Sequence, residues 1–340
     1  MKIGILTGGG DCPGLNPVIR AVVRTADSRG MEVLGIQYGW KGLVEKIADK
    51  LDVRSVSGII HRGGTILGTS RTNPYKDPKN FEALRVNWKA LGLDAVVAVG
   101  GEDTLGVAAK LYKDGFKVVG VPKTIDNDLS GTDVTFGFDT AVNIAMEAID
   151  RLHTTAESHR RIMVVEVMGR HAGWIALNSG IAGGADMILI PEVSIKMKEV
   201  LGVIKKRVER GKQFSIIVVA EGAKFDGNEV LVEKKLDEFG HVRLGGIGEL
   251  LAKKIEENTG YETRVAVLGH IQRGGSATAF DRMLGTRFGY HAVHLVEQGK
   301  FGQMVALKGN DIVDIPLQTA VGSLKTVDPK FYQMAETFFG

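Results

Sequence analysis

The run Asp94-Ala-Val-Val-Ala-Val-Gly-Gly-Glu-Asp-Thr104 decides the fold. Its apolar part is uninterrupted, the pattern of a strand buried on both faces rather than one with a wet side. It stops at Gly100-Gly101, turns acidic at Glu102-Asp103 and passes into the helical pattern of Leu105 to Lys113. Strand, polar turn and helix in that order make one unit of a parallel sheet layered with helices.

The same unit recurs outward in both directions. Lys2 to Thr7 is a short apolar run that ends in Gly8-Gly-Gly-Asp-Cys-Pro-Gly14, and Val18 to Ala26 then has helical spacing. Glu32 to Gln37 reads as a second strand, and Asp52 to Ser57 leads into an expected short helix. Phe116 to Val121 ends at Pro122-Lys-Thr-Ile-Asp-Asn-Asp128. A helix from about Asp139 to Thr155 precedes the strand Ile162 to Val167, which ends at Met168-Gly-Arg170. Ala185 to Ile190 ends at Pro191-Glu192, Phe214 to Ala220 at Glu221-Gly222, and Arg264 to Gly269 at His270-Ile-Gln-Arg-Gly-Gly275. Helices are expected over Ile247 to Asn258 and Asp281 to Gln298, with an edge strand within Met304 to Val313. The alternation predicts an α/β chain built on one or two parallel sheets, with ligands beyond the carboxyl ends of the strands.

Size and composition bound what such a chain does. At 340 residues it has room for a large core and two lobes. With 44% hydrophobic and 24% charged residues the composition is that of a soluble globular protein. Net charge is +3 with the signs well mixed, so no basic stripe for nucleic acid is expected. Cys12 is the single cysteine, which excludes an intramolecular disulfide, and it reads as a space-filler in its glycine turn. The chain opens as a strand rather than as a leader, and no apolar run approaches the roughly 18 residues of a membrane span. The expected location is cytoplasmic, with neither a membrane nor nucleic acid as partner.

The strand ends carry the chemistry. Gly10, Asp11, Glu102, Asp103, Lys123, Asp126, Asp128, Met168, Arg170, Glu221, His270 and Arg273 all fall there. Arginine, lysine and bare glycine N–H groups suit phosphate, the carboxylates suit a divalent cation, and one of them suits a proton. Asp126 or Asp128 could instead cap the helix that follows. Phosphoryl transfer needs this collection: cations and N–H donors, a divalent metal, and an acceptor for the attacking hydroxyl's proton. An acyl-transfer triad has no matching set of strand ends. A zinc site has no cysteine set, and His291 with His294 reads as a half-buried helix face.

Taken together the motifs resemble the phosphofructokinase family along nearly the whole chain. They are Thr7-Gly-Gly-Gly-Asp-Cys-Pro-Gly-Leu-Asn16, Gly63-Gly-Thr65 with Arg71, Gly100-Gly-Glu-Asp-Thr104, and Pro122 to Asp128. Val167-Met-Gly-Arg170, Pro191-Glu192 and Leu268-Gly-His-Ile-Gln-Arg-Gly-Gly275 complete the set. The resemblance implies two Rossmann-like three-layer αβα lobes with the active site in the cleft between them. It implies a phosphoryl-donor lobe over 1–138 and about 272–320, a sugar-phosphate lobe over 139–271, and a C-terminal extension over 321–340. The reaction implied is phosphorylation of fructose 6-phosphate at its 1-hydroxyl, a reversible step of glycolysis and gluconeogenesis.

By the same resemblance Asp126 is the proton acceptor, Thr124 and Asp128 support its loop, and Arg170 stands near the moving group. Met168, Gly169, Glu221, His270 and Arg273 line the sugar and its 6-phosphate. Arg161 and Arg264 reach that phosphate from a neighbouring subunit, which implies a homodimer or homotetramer. Gly10, Arg71 and Lys76 face the donor, though arginine is common in the family at the place of Lys76. Glu102 stands for an aspartate that holds Mg²⁺ in many relatives, and its extra methylene allows coordination through a water.

Asp103 and Lys123 bear on the donor, because ATP-using relatives commonly have glycine at both places. A carboxylate at Asp103 would face a nucleotide's α-phosphate, and two unit charges about 4 Å apart cost roughly 4 kcal/mol at an effective dielectric of 20. Pyrophosphate has no α-phosphate, so the pair resembles the pyrophosphate-dependent branch, with an ATP-dependent 6-phosphofructokinase as the alternative. Two other classes stay open on the residues: another Gly-Gly-acid kinase such as an NAD kinase, and a non-enzymatic sugar-phosphate sensor. Neither accounts for Pro122 to Asp128 together with the Met168 and His270 loops. Arg20, Arg24, Arg210 and Lys212 resemble part of an effector site, but His153 replaces an arginine there and solvated surface charge is the expectation.

Overall fold

The computed structural model describes residues 1–225, 228–229, 231–233 and 243–340. The charge-rich stretch between Glu221 and Arg264 falls partly outside them. In chain order the described strands begin with β1 (Lys2–Thr7), β2 (Glu32–Ile36), β3 (Ala48–Leu51), β4 (Ala95–Gly100) and β5 (Val118–Pro122). Next come β6 (Ile162–Val167), β7 (Met187–Leu189), β8 (Ser215–Ala220), β9 (Lys224–Phe225) and β10 (Asn228–Glu229). The last are β11 (Leu231–Glu233), β12 (Arg243–Leu244), β13 (Thr263–Val267), β14 (Gln303–Lys308) and β15 (Asp311–Pro316). The chain divides into two compact units: Met1–Ile125, Leu129–Asp139 and Arg273–Leu324 form unit 1, and Asp126–Asp128, Thr140–Gln272 and Lys325–Gly340 form unit 2.

Among the described residues unit 1 holds a seven-stranded sheet in the order β15-β14-β5-β4-β1-β2-β3. Strands β2, β1, β4, β5 and β14 run parallel, and β3 and β15 close the edges antiparallel. Ala95 to Gly100 is fully buried, as the unbroken apolar run requires. The register sets Thr7 beside Val99 and Val99 beside Val121, so three loops leave the same end of the sheet. Helices Leu15–Asp27 and Ala279–Glu297 pack on each other at close range. Gly285 and Gly289 permit this, because a Cβ there would lie 3.0 Å from the Gly14 carbonyl oxygen and 2.7 Å from that of Val18.

Unit 2 carries a four-stranded parallel sheet, β13-β6-β8-β7, among its described residues. Ile162, Val164, Ile217 and Val219 from the sheet meet Val200, Ile204, Leu251 and Ile255 from two covering helices, Met197–Glu209 and Ile247–Thr259. One strand residue breaks the apolar pattern: Glu166 is buried, and its carboxylate accepts from Gly248 N (2.8 Å) and Gly246 N (3.3 Å) at the start of the second helix. A carboxylate satisfies orphan N–H groups there and complements the positive end of the helix. Val167 pairs with Ala220 and Glu166 with Val267, so the Met168 loop, Glu221 and Leu268 share one end of this sheet.

Two expectations change. No helix follows Asp52; its carboxylate takes the Ser55 N–H and hydroxyl, each at 2.8 Å, and a side chain that captures local N–H groups competes with helix formation. The single edge strand within Met304 to Val313 is a hairpin, β14 and β15, reversed at Gly309 (φ 57°) and Asn310. Within the C-terminal extension, Lys325–Gly340 groups with unit 2. There Trp174 Nε1 donates to the Lys325 carbonyl (2.8 Å), Tyr332 hydroxyl to the Ile188 carbonyl (2.9 Å), and Val327 N to Glu192 (2.9 Å). Asp126–Asp128 also groups with unit 2, ahead of the longer stretch Thr140–Gln272. Among the described residues no helix is long and apolar enough to cross a membrane.

Candidate active site

In unit 1 the glycine turn after β1 is held from several sides. Gly8 N donates to the Val99 carbonyl (2.9 Å) and Gly9 N to the Ser70 carbonyl (3.2 Å). Lys123, buried where β5 ends, donates Nζ to the Gly10 carbonyl at 2.6 Å, while its own N–H donates to the Gly100 carbonyl (3.0 Å). Arg273 donates Nη1 to the Asp11 carbonyl (3.2 Å). Thus Gly10, Lys123 and Arg273, far apart in sequence, meet at one turn. Glu102 and Asp103 begin the helix Glu102–Lys113, Glu102 exposed and Asp103 half-buried. Both carboxylates sit in the first helical turn, where the dipole favours negative charge. Arg71 lies exposed one residue past Ser70, and Lys76 is exposed in the short turn Pro74–Lys76. Thr124 is buried, its carbonyl taking the Thr135 hydroxyl at 2.8 Å.

In unit 2, Asp126 and Asn127 are buried, and Asn127 adopts a left-handed backbone (φ 53°). Lys325 ties this short segment down: its Nζ donates to Asn127 Oδ1 (2.8 Å) and its N–H to the Asp128 carbonyl (2.9 Å). The Met168 loop is bent by Gly169 (φ 145°) and Arg170 (φ 52°). A non-glycine residue in the left-handed region persists only where its surroundings hold it. Here Glu221 Oε1 accepts the Arg170 N–H (3.2 Å), and Glu221 N donates to the Val167 carbonyl (2.8 Å). Burial pushes the Glu221 carboxyl up to about 7, and the charge of Asp126 pushes the same way against the N–H groups of Arg170 and Gly169.

Arg161 and Arg264 converge on one carboxylate, Glu262: Arg161 Nε donates to Oε2 at 2.7 Å and Arg264 Nη2 to Oε1. His270 is exposed in the short turn Gly269–Arg273. The residue sequence reasoning left without a role is Gln272. It is fully buried, and its Oε1 accepts the Met168 N–H at 3.2 Å. Because the partner is a donor, the oxygen must be the contacting atom. Glu166 was passed over too, although a glutamate inside the run Ile162 to Val167 was the visible signal.

A magnesium ion is implied by the resemblance. Among the described residues no three His, Cys, Asp or Glu side chains cluster as a metal site. A Mg²⁺ site asks for only one or two carboxylates, because waters and substrate phosphates supply the other ligands. Exposed Glu102, one residue beyond the Gly100-Gly101 break, fits such a site.

Residues 2–296 match the family described as Phosphofructokinase. The chain is 58% identical over 343 residues to a Streptomyces coelicolor protein named pyrophosphate–fructose 6-phosphate 1-phosphotransferase, covering 100% of both. It is also 53% identical over 338 residues to ATP-dependent 6-phosphofructokinase 3 of the same organism, covering 99% of both. Among solved structures, the Pichia pastoris phosphofructokinase in the T-state superposes with TM-score 0.86 at 32% identity, over 99% of this chain and 39% of that one. The chain therefore spans well under half of the yeast polypeptide.

Proposed function

The chain belongs to the phosphofructokinase family and is a phosphotransferase, and from that premise we propose that it carries a phosphoryl group reversibly between pyrophosphate and the 1-hydroxyl of fructose 6-phosphate. The observation that carries the choice of donor is the pair Asp103 and Lys123 in unit 1. The half-buried Asp103 carboxylate, on the first turn after Gly100-Gly101, disfavours a nucleotide's additional phosphate. The Lys123 ammonium, fixed on the Gly10 carbonyl at 2.6 Å, gives a small donor the charge that it needs in the absence of an adenosine handle.

In this reading unit 1 holds the donor through the Gly10 turn, Arg71 and Lys123. Glu102 would hold Mg²⁺, which when bound neutralises charge on the phosphate oxygens. Unit 2 holds the sugar phosphate. Asp126 accepts the proton of the 1-hydroxyl as the oxygen attacks, and Thr124 and Asp128 hold its loop. Met168, Gly169, Glu221 and His270 orient the sugar, and Arg170 stands by the moving group. Arg161 and Arg264, their forks set side by side by Glu262, bind the 6-phosphate of a partner subunit's sugar in a dimer or tetramer. The step serves glycolysis and gluconeogenesis in the cytoplasm.

The relative at 53% identity favours ATP as a second reading. The deciding assay supplies fructose 6-phosphate and Mg²⁺ with either pyrophosphate or ATP, and then runs fructose 1,6-bisphosphate with orthophosphate. Pyrophosphate-supported turnover in both directions is expected. Robust turnover from ATP with none from pyrophosphate would overturn the donor assignment.

A further inference from the structure

We propose that Lys325 is a positioning residue for Asp126: it holds the next residue, Asn127, in the left-handed backbone that fixes where the proton-accepting carboxylate stands. The inference rests on the reading of Asp126 as that acceptor. It concerns unit 2 alone, which comprises Asp126–Asp128, Thr140–Gln272 and Lys325–Gly340. Lys325 lies beyond residues 2–296, the part matched to the family, and none of the motifs that carry the resemblance includes it.

Asn127 has φ 53°, and it is buried next to a buried Asp126. Asparagine enters that region more readily than most residues, but it stays there only where its surroundings hold it. Lys325 engages the two residues after Asp126 in succession. Its Nζ donates to Asn127 Oδ1 at 2.8 Å, and its N–H donates to the Asp128 carbonyl at 2.9 Å. An ammonium has no acceptor, so the oxygen of the Asn127 amide must be the atom turned to it. The ammonium also stands 5.4 Å from the centre of the Trp174 ring, within cation–π range. Trp174 Nε1 in turn donates to the Lys325 carbonyl at 2.8 Å. Trp174 opens the helix Trp174–Ala182, which follows the Met168 loop. Lys325 thereby joins the Asp126 segment to the element next to that loop.

The C-terminal segment has anchors that do not use the ammonium. Val327 N donates to Glu192 Oε1 at 2.9 Å, and the same carboxylate takes the Gly173 N–H at 3.0 Å, which clips the segment to the start of the Trp174 helix. The Tyr332 hydroxyl donates to the Ile188 carbonyl at 2.9 Å, and Val327 and Tyr332 are both buried. The Lys325 backbone makes its own two bonds, one to Asp128 and one from Trp174. What the ammonium adds is a charge-assisted bond to the side chain of the left-handed residue, directly beside the acceptor carboxylate. The backbone angles of Asn127 set the course of the chain as it leaves Asp126. A misplacement of about 1 Å in a reacting group costs up to about 10²-fold in rate, so a bond that fixes this backbone bears on turnover.

The test is steady-state kinetics of the full chain with Mg²⁺, pyrophosphate and fructose 6-phosphate. It compares the wild type with Lys325→Met and Lys325→Arg, and repeats Lys325→Met in an Asp126→Asn background. Lys325→Met leaves the main-chain groups in place and removes only the ammonium. Its kcat should fall about 10- to 100-fold, while the KM for each substrate changes less than about threefold. Lys325→Arg should retain more turnover than Lys325→Met, because it still offers a charged donor to Asn127 Oδ1. In the Asp126→Asn background, Lys325→Met should lower the residual turnover less than about twofold, since a residue that acts through the carboxylate has nothing left to position. A general structural role would cost the same factor in both backgrounds, and that result overturns the inference. So does a loss confined to KM, or a kcat for Lys325→Met within about twofold of the wild type while Asp126→Asn is impaired. If Lys325→Met does not fold, Lys325→Gln is judged by the same criteria. Near wild-type turnover in Asp126→Asn alone would sink Asp126 as the acceptor, and the inference with it. Wild-type turnover from ATP alone would sink only the choice of donor, and Lys325 is then judged on kcat with ATP.

Discussion

The two strand-end loops at the centre of the proposed chemistry are held by opposite means. In unit 1 the turn after β1 is held by cations that donate to its carbonyls, Lys123 to Gly10 and Arg273 to Asp11. In unit 2 the loop after β6 is held by acceptors that take its N–H groups, Gln272 from Met168 and Glu221 from Arg170. The first arrangement brings two cationic side chains to one glycine turn, the kind of residue that a phosphate donor would need. The second spends N–H groups on protein acceptors and concentrates carboxyls, as a site that removes a proton from a neutral hydroxyl requires. One α/β architecture thus yields two electrostatic environments according to which backbone atoms the side chains engage.

The largest effect tests the acidic side. Asp126→Asn should lower turnover by about 10²- to 10⁴-fold while fructose 6-phosphate still binds, because the amide cannot take the proton. Retained turnover at near wild-type rate would remove Asp126 as the acceptor. The substitution also removes a charge that pushes Glu221 up, so the pH response of Glu221 should move downward in the same variant.

Gln272→Leu tests whether the acceptor on the Met168 N–H matters to function. A buried donor left without its partner costs on the order of 1–3 kcal/mol, here at the backbone of the sugar loop. The KM for fructose 6-phosphate should rise about tenfold with the KM for pyrophosphate unchanged, since a loss of roughly 1.4 kcal/mol is a factor of ten. A drop in melting temperature with both KM values intact would make Gln272 a fold residue only.

Sequence reasoning reached the two environments unequally. The unbroken run Ala95 to Val99 announced a doubly buried strand, and the glycine and charge content of the strand ends announced phosphate chemistry. Those are local patterns, legible because period and composition reflect burial directly. The partner of each side chain was not legible. Lys123 meeting Gly10 and Arg273 meeting Asp11 depend on which strands neighbour each other and on where the chain re-enters unit 1. Gln272 was hidden for a further reason: an amide in a polar motif gives no sign of whether it serves a ligand or a backbone N–H. Lys308-Gly-Asn-Asp311 is a polar break that marks the turn of the β14–β15 hairpin, and a single strand over Met304 to Val313 passes over it.

The smallest effect is the most diagnostic of the acidic side, because it has a sign. Glu221 is a carboxyl whose folded value, about 7, lies above its unfolded value near 4.5. The folded state therefore holds this proton more tightly, and the stability the group contributes is present below about pH 4.5 and lost as pH rises through 7. Glu221→Gln keeps a neutral acceptor for the Arg170 N–H and has no charge to develop. Its melting temperature should exceed that of the wild type more at pH 8 than at pH 5, the difference corresponding to about 1–3 kcal/mol. The wild-type KM for fructose 6-phosphate should also rise between pH 6 and pH 8, as a second negative charge appears beside Asp126 and faces an anionic substrate. That rise should be smaller in Glu221→Gln. If the two proteins show parallel pH profiles in both measurements, the carboxyl is not the titrating group, and the contrast between a cationic turn and a proton-holding loop loses its second half.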